Sequence, residues 1–336
     1  MCLSDHNAYT ISESTSNVES LGRLLGVTAA AGRFAPSPTG DLHLGNLRTA
    51  LLAWLSARSQ SMDFIVRIED LDRVTSRVDH ETAQLADLAV LGLRSDRKVV
   101  RQSERFGLYE AAIERLVAQE RTYPCFCTRR EIREASSAPN DSLMAEGAYP
   151  GTCRELSESA LAALVSAGRH SALRLRANGE VIQFVDDIHG PYRATVDDVV
   201  IRRNDGVPAY NLAVVVDDAA QGIAEVVRAD DLLASTPRQV LLQRLLQLPT
   251  PRYRHVPLVV GSDGVRLAKR HGDVTMSQLV ALGVSPTQVL TMLGASIGLA
   301  RNDESVTLEQ LVARFDVSLV PREPWVLPAN LQRSVT

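Results

Sequence analysis

RFAPSPTGDLHLGN, residues 33–46, decides how the rest of this chain is read. Arg33-Phe34-Ala35 is a short strand candidate, and Pro36 to Gly40 is a loop that its two prolines stiffen. Gly40 and Gly45 let backbone come close to a ligand. From Gly45 to Arg58 the apolar residues Leu47, Ala50, Leu51, Trp54 and Leu55 follow the i, i+3, i+4, i+7, i+8 stripe of one buried helix face. A helix that starts just after His43 offers exposed N–H groups and a dipole that favour phosphate. An imidazole there can donate to a phosphate chain whose charge grows during reaction. The plainer reading is a Pro/Gly turn capping a helix, with His43 at the surface.

Outward from this stretch, Asp63 to Ile68 (DFIVRI) predicts a second strand, Thr82 to Leu91 a helix, and Tyr109 to Gln119 another amphipathic helix. Strands alternating with helices predict an α/β fold with a parallel, doubly wound sheet. The alternation stops at Tyr123, where a cysteine-bearing segment runs to about Arg154 with a turn-rich middle at Ser136–Asn140. Strand-like runs follow at Ala172–Ala177, Val181–Val185 and Asp197–Arg203. The very apolar Asn211–Val216 resembles a buried strand, so the α/β pattern resumes there. From Pro237 onward the chain reads as mainly helical, including Pro286–Leu293 and Leu308–Phe315. The expected division is a disordered extension (1–30), a first half of a nucleotide-binding domain (31–122), an insertion (123–200), a second half (201–260) and a short helical end (261–336).

With 336 residues, 45% of them hydrophobic, the chain can bury a sizeable core. A net charge of -4 excludes a globally basic nucleic-acid binder but not a local basic face. No apolar stretch is long enough to span a membrane. The polar first twenty residues lack the basic start and apolar centre of a secretory signal, so the expected location is cytoplasmic. Cys125, Cys127 and Cys153 cluster in one segment, which in a reducing compartment suggests metal rather than disulfides. Three thiolates leave tetrahedral zinc one ligand short. No His or Cys lies between Cys127 and Cys153; His170 is the nearest histidine, and Tyr149, four residues before Cys153, is the remaining candidate. Three buried free thiols are the alternative.

Three further constellations carry chemistry. Arg67-Ile68-Glu69-Asp70-Leu71-Asp72 puts acids at a strand end, where open α/β sheets bind ligands. Tyr210-Asn211-Leu212-Ala213 leads to Asp217-Asp218, and EVVRADDLL spans 225–233. Arg266-Leu267-Ala268-Lys269-Arg270 is a dibasic loop, which alone would be read as a solvated turn.

Together these segments resemble the glutamyl-tRNA synthetases and their relatives, class I enzymes in which His43-Leu44-Gly45-Asn46 stands at the "HIGH" position and residues 266–270 at the "KMSKS" loop. The resemblance runs from Arg33 to at least Gly272. It implies a Rossmann-like class I synthetase catalytic domain that makes glutamyl-adenylate from glutamate and ATP, with Mg2+ accompanying the ATP. Carried over residue by residue, Glu69 would hold the substrate ammonium and Arg33 its side-chain carboxylate. Ala35, Ser37, Tyr210 and Arg228 would complete the glutamate pocket. Pro36, His43, Gly45, Asn46, Arg266 and Lys269 would bind ATP, with His43 and Lys269 catalytic. Arg266 and Ala268 depart from the usual Lys and Ser of that loop.

A narrower resemblance concerns the insertion. CxC…YxxxC is similar to the zinc site of glutamyl-queuosine tRNA(Asp) synthetases, which implies one structural Zn2+ on Cys125, Cys127, Tyr149 and Cys153. Residues 271–336 are too few for an anticodon-binding domain. Both features point the same way, and the resemblance implies transfer of glutamate to queuosine at the wobble position of tRNA(Asp); a monomer is expected. A truncated conventional synthetase charging tRNA(Glu), or a non-catalytic paralogue binding tRNA or glutamate, are the competing readings.

Overall fold

The computed structural model describes residues 29–135, 148–265 and 274–328. Strand β1 (Ala31–Phe34) leads through the signature loop to helix α1 (Leu44–Ser59) and then to β2 (Asp63–Ile68). Helix α2 (Val78–Val90), the short β3 (Val100–Arg101) and α3 (Phe106–Ala118) follow. Next come β4 (Thr122–Cys125), α4 (Arg129–Ala135), α5 (Glu158–Ser166), β5 (Ala172–Leu175), β6 (Val181–Asp186), β7 (Gly190–Thr195) and β8 (Val200–Arg202). The chain returns through α6 (Tyr210–Ala220), β9 (Ile223–Ala229), α7 (Thr236–Leu246), β10 (Arg252–Val256) and β11 (Val259–Val260). It ends with α8 (Met276–Ala281), α9 (Pro286–Ala295), α10 (Leu308–Arg314) and β12 (Trp325–Val326).

Seven strands form one sheet in the order β3-β2-β1-β9-β10-β6-β7. All neighbours are parallel except β6 and β7, an antiparallel hairpin at one edge. This is the α/β, Rossmann-like architecture of the sequence reading. The chain leaves β1 toward β2 and β3 on one side, then comes back to β9 on the other. Strand order therefore reverses between β1 and β9, and the crevice beyond their carboxyl ends is where such sheets bind ligands. Every residue of β1 is buried, as a central parallel strand covered on both faces requires. One apolar cluster joins α1 to the C-terminal helices α9 and α10, and a second packs α3, α6 and α7 on the other face. The cysteine segment starts in a separate three-stranded sheet, β4-β5-β8, whose strands β5 and β8 flank the β6–β7 hairpin of the large sheet in sequence.

Several elements differ from their sequence reading. Asn211–Val216 is helix, not strand: Leu212 to Asp218 are all buried, so α6 is enclosed on every side and shows no apolar stripe. A run of valines with no polar face reads as a buried strand, because periodicity cannot separate the two. Helix α1 is likewise buried nearly all round, from Ala50 to Ala57 without a break, and not along a single face. In the stretch expected to be mainly helical, β10 (RYRHV) is an interior strand of the large sheet. Its charges hid it, yet they are paired: Arg252 and Arg254 both meet the buried Glu225, and Arg254 also meets Asp187. The expected strand at Asp197–Arg203 shrinks to Val200–Arg202, while Asp197 and Asp198 serve as acceptors. The turn-rich middle at 136–140, the N-terminal extension and the 266–270 loop lie outside the described residues.

Candidate active site

The loop between β1 and α1 is shaped by what its prolines cannot donate and what its carbonyls accept. Pro36 O accepts from Glu69 N (2.9 Å), and Pro38 O from Arg77 N (2.9 Å). The buried Gln84 amide donates to Ser37 O (3.1 Å) and Gly40 O (2.7 Å). The loop is thus tied to the end of β2 and to α2. At its end His43 is the N-cap of α1: Nδ1 accepts from Gly45 N (3.0 Å) and Asn46 N (3.3 Å), while Asn46 Oδ1 accepts from His43 N (3.2 Å). A ring that accepts on Nδ1 carries its proton on Nε2, so the backbone itself fixes a donor tautomer. Gly45 is required by this arrangement, because a Cβ there would lie 2.8 Å from His43 Cε1. Its lack of a side chain leaves room for the imidazole.

The ends of β1, β2 and β9 supply charge. Arg33, 3% exposed, donates to Asp218 Oδ1 (3.3 Å) and Val227 O (3.2 Å). Arg67 is fully buried and binds Asp218 Oδ1 (2.7 Å), Gln221 Oε1 (2.8 Å) and Glu69 Oε1 (3.2 Å). Burial opposes the Arg67 charge, but Asp218, Asp217 and Glu69 more than restore it. Burial also works against the Asp218 carboxylate, and Arg67 and Arg33 hold its pKa below the usual range regardless. For Glu69 the balance goes the other way: burial lifts it above the ordinary carboxyl range although Arg67 and Arg33 pull it down. A cation placed beside Glu69 would relieve that cost.

Arg228 closes the far wall. It is 5% exposed, donates to His255 Nε2 (3.0 Å) and Thr236 Oγ1 (2.8 Å), and its Nη1 has no hydrogen-bond partner among the described residues. A buried guanidinium with an unused donor is suited to an anionic ligand group.

Arg33, Ala35, Pro36, Ser37, His43, Asn46, Glu69, Tyr210 and Arg228 all line one cleft of about 600 Å3. Gly45 borders a small recess that adjoins it at His43 and Asn46. Arg266 and Lys269 lie outside the described residues. Sequence reasoning missed Thr49, Gln84 and Asp41 on the cleft wall. It also missed His255, Asp186 and Thr236 behind Arg228, which no local spacing links to the cleft.

A second cleft of about 800 Å3 shares Ser37, Glu69 and Tyr210 with the first and extends to the small sheet. Arg129, Arg169, Arg174 and Arg203 give it a basic lining, and Phe126 joins Tyr210 as a second aromatic residue there. Cys125 and Cys127 line it too, and their sulfurs and that of Cys153 all lie within 4.8 Å of one another, a group that could hold a metal. The Tyr149 hydroxyl is 3.3 Å from Cys125 Sγ and 3.6 Å from Cys127 Sγ, and it accepts from Cys153 N (2.8 Å). His170 lines the same cleft but is not one of the clustered groups. Arg174 stacks over the Tyr149 ring at 3.6 Å. Burial pushes the Cys127 thiol up to about 12 and the Tyr149 phenol well above its ordinary value. A bound divalent cation is what draws protons from such donors. Three soft sulfurs and one oxygen around a single point suit zinc.

The chain is similar to known proteins over most of its length. Residues 30–330 match the family described as "tRNA synthetases class I (E and Q), catalytic domain". A protein of Nocardia farcinica named glutamyl-Q tRNA(Asp) synthetase is 57% identical over 300 residues, covering 89% of this chain and 94% of its own. A glutamate–tRNA ligase of Geobacter sulfurreducens is 40% identical over 302 residues, covering 88% of this chain and 62% of the ligase. The crystal structure of a glutamate tRNA ligase from Elizabethkingia meningosepticum, in complex with its amino acid, superposes with a TM-score of 0.77 at 28% identity. That match covers 91% of this chain and 68% of the ligase.

Proposed function

The chain belongs to the class I tRNA synthetase catalytic-domain family for glutamate and glutamine, and from that premise we propose that it activates glutamate with ATP and transfers it to queuosine at the wobble position of tRNA(Asp). The observation that carries this reading is its 48–57% identity to three proteins named glutamyl-Q tRNA(Asp) synthetase, against 40% to the glutamate–tRNA ligase of Geobacter sulfurreducens. In this reading residues 31–122 and 201–260 are the two halves of the catalytic domain. Residues 123–200 are the zinc-containing, acceptor-binding-like insertion, and 261–336 carry the KMSKS-like loop and the helical end.

The cleft chemistry supports the roles. Glutamate would lie with its ammonium on Glu69 and its carboxylates toward Arg33 and Arg228, with Ala35, Ser37 and Tyr210 completing the pocket. Its α-carboxylate oxygen attacks the α-phosphorus of ATP, the bond to pyrophosphate breaks, and an acyl-adenylate forms. Pro36, Gly45 and Asn46 would shape the ATP side, and the His43 Nε2–H would donate to the phosphates. Arg266 and Lys269 would add positive charge to the leaving group. Mg2+ enters with ATP as part of the substrate. A hydroxyl of the modified base then takes the acyl group and AMP leaves, so no protein nucleophile is needed.

The second cleft is the natural place for the acceptor, since it opens onto Glu69 and Tyr210 and is lined by arginines. An unpaired base extruded from an anticodon loop can be read there by stacking and by its exposed edges. Cys125, Cys127, Tyr149 and Cys153 would hold one structural zinc, which has no open position for catalysis. No described helix is long and apolar enough to cross a membrane, and we place the enzyme in the cytoplasm as a monomer whose cleft is formed within one chain.

The test is transfer of labelled glutamate, with ATP, onto purified tRNA(Asp) with and without queuosine, beside tRNA(Glu). Label on queuosine-containing tRNA(Asp) alone is the expected result. Label on tRNA(Glu) alone would make the chain a conventional synthetase.

A further inference from the structure

Arg228 has to be aimed. An arginine side chain has many rotamers, and a guanidinium contributes to recognition in proportion to how firmly its fork is oriented before the ligand arrives. Here the orientation comes from the neighbouring strand. Arg228 on β9 and His255 on β10 are register partners in the parallel ladder, and His255 is fully buried. Arg228 Nε donates to His255 Nε2 at 3.0 Å, which requires that nitrogen to be without a proton. Asp186, 1% exposed at the end of β6, enforces the tautomer: its Oδ2 lies 2.6 Å from His255 Nδ1.

Asp186 is itself fixed by the backbone. It accepts from the N–H groups of Ile188 and His189, each at 3.0 Å, and from His255 N at 3.1 Å. Burial lowers the His255 pKa to about 4, so the ring is neutral near pH 7 and its Nε2 lone pair is available. Thr236 Oγ1, at the start of α7, takes a second guanidinium nitrogen at 2.8 Å. With Nε and Nη2 both engaged from behind, the one donor nitrogen without a described partner, Nη1, belongs to a guanidinium on the cleft wall.

We propose that Asp186 and His255 form a positioning pair that holds Arg228 in one orientation and so sets the affinity of the cleft for the substrate carboxylate. This rests on the glutamate-activating reading above. Neither residue touches the reacting atoms; both act through Arg228.

The experiment is glutamate-dependent exchange of labelled pyrophosphate into ATP by the whole protein, read as separate KM and kcat values, with melting curves as a folding control. His255→Leu removes the acceptor, whereas the carbonyl of His255→Gln can still take the Arg228 proton. His255→Leu is expected to raise KM for glutamate about ten- to a hundredfold, the range for losing a hydrogen bond to a charged group. KM for ATP and kcat should stay within about threefold, and His255→Gln should recover most of the loss. Thr236→Val, a smaller change at the other anchored nitrogen, should raise the same KM by about fivefold and keeps the test open if His255→Leu does not fold. An unchanged KM for glutamate in the folded variants would overturn the proposal, as would equal losses in His255→Leu and His255→Gln spread over kcat and both KM values. Wild-type protein without glutamate-dependent exchange would overturn the functional reading, and the proposal with it.

Discussion

At the scale of single residues, Glu69 shows how function and stability pull apart. Burial holds its carboxyl above the ordinary range, so the folded chain binds its proton more tightly than the unfolded chain does. Its contribution to stability is then fully present below the unfolded pKa and is lost as pH rises through the folded one. Glu69→Gln should therefore leave the melting temperature near pH 7 unchanged or slightly higher, since Arg67 keeps Asp218 and Gln221 as partners. In the proposed role the same change removes the counter-ion of the substrate ammonium. We expect kcat/KM for glutamate in pyrophosphate exchange to fall by about thirtyfold to a thousandfold, as for losing one partner of a desolvated charge pair. In the wild type, KM for glutamate should rise toward acid as Glu69 is protonated. A variant with a lowered melting point and an intact KM would contradict both halves of the argument.

At the scale of elements, what was legible in the sequence followed from local pattern. Strand β1, the loop, α1 and β2 were readable because turn residues and apolar spacing lie within a few residues of one another. Helix α6 was not, because full burial erased the periodicity that separates helix from strand. Strand β10 was not, because its arginines are neutralised by Glu225 on β9 and by Asp187 just after β6, both distant in sequence. The same limit applies to the site. Loop residues 35–46 and the acids after β2 announce themselves, whereas His255 reaches Arg228 only through the register of two strands distant in sequence. The small sheet makes its own prediction. Tyr149→Phe keeps the ring under Arg174 but removes the oxygen that sits among the three sulfurs. Zinc in the freshly purified protein should fall from about one per chain in the wild type to clearly less in Tyr149→Phe, and further in Cys153→Ser. Metal analysis reads this directly, and a wild type free of stoichiometric zinc would refute the assignment.

At the scale of the whole molecule, a net charge of -4 coexists with a cleft lined by arginines. An RNA would be drawn to that cleft more than to the rest of an acidic surface. Arg203 is a suitable probe, since it is half-exposed, lines the second cleft, and its guanidinium is paired with the neighbouring Asp205 at 2.6 Å. Arg203→Ala should slow transfer of glutamate to tRNA several-fold, roughly 0.5–1.5 kcal/mol for one phosphate contact, without changing pyrophosphate exchange. Raising the salt concentration should slow the wild-type transfer more than the variant's. Equal effects on exchange and transfer would place Arg203 in the activation step and not at the acceptor.

The cap at the start of α1 carries a further consequence, one for heredity. His43 lies so close over position 45 that any side chain there must push the ring off the helix. The two positions are therefore a single mutational target: Gly45→Ala should mimic His43→Ala, and the double variant should be no slower than either alone. Such complete epistasis means that neither residue can be exchanged first along a neutral path. A lineage that keeps the histidine is bound to keep the glycine.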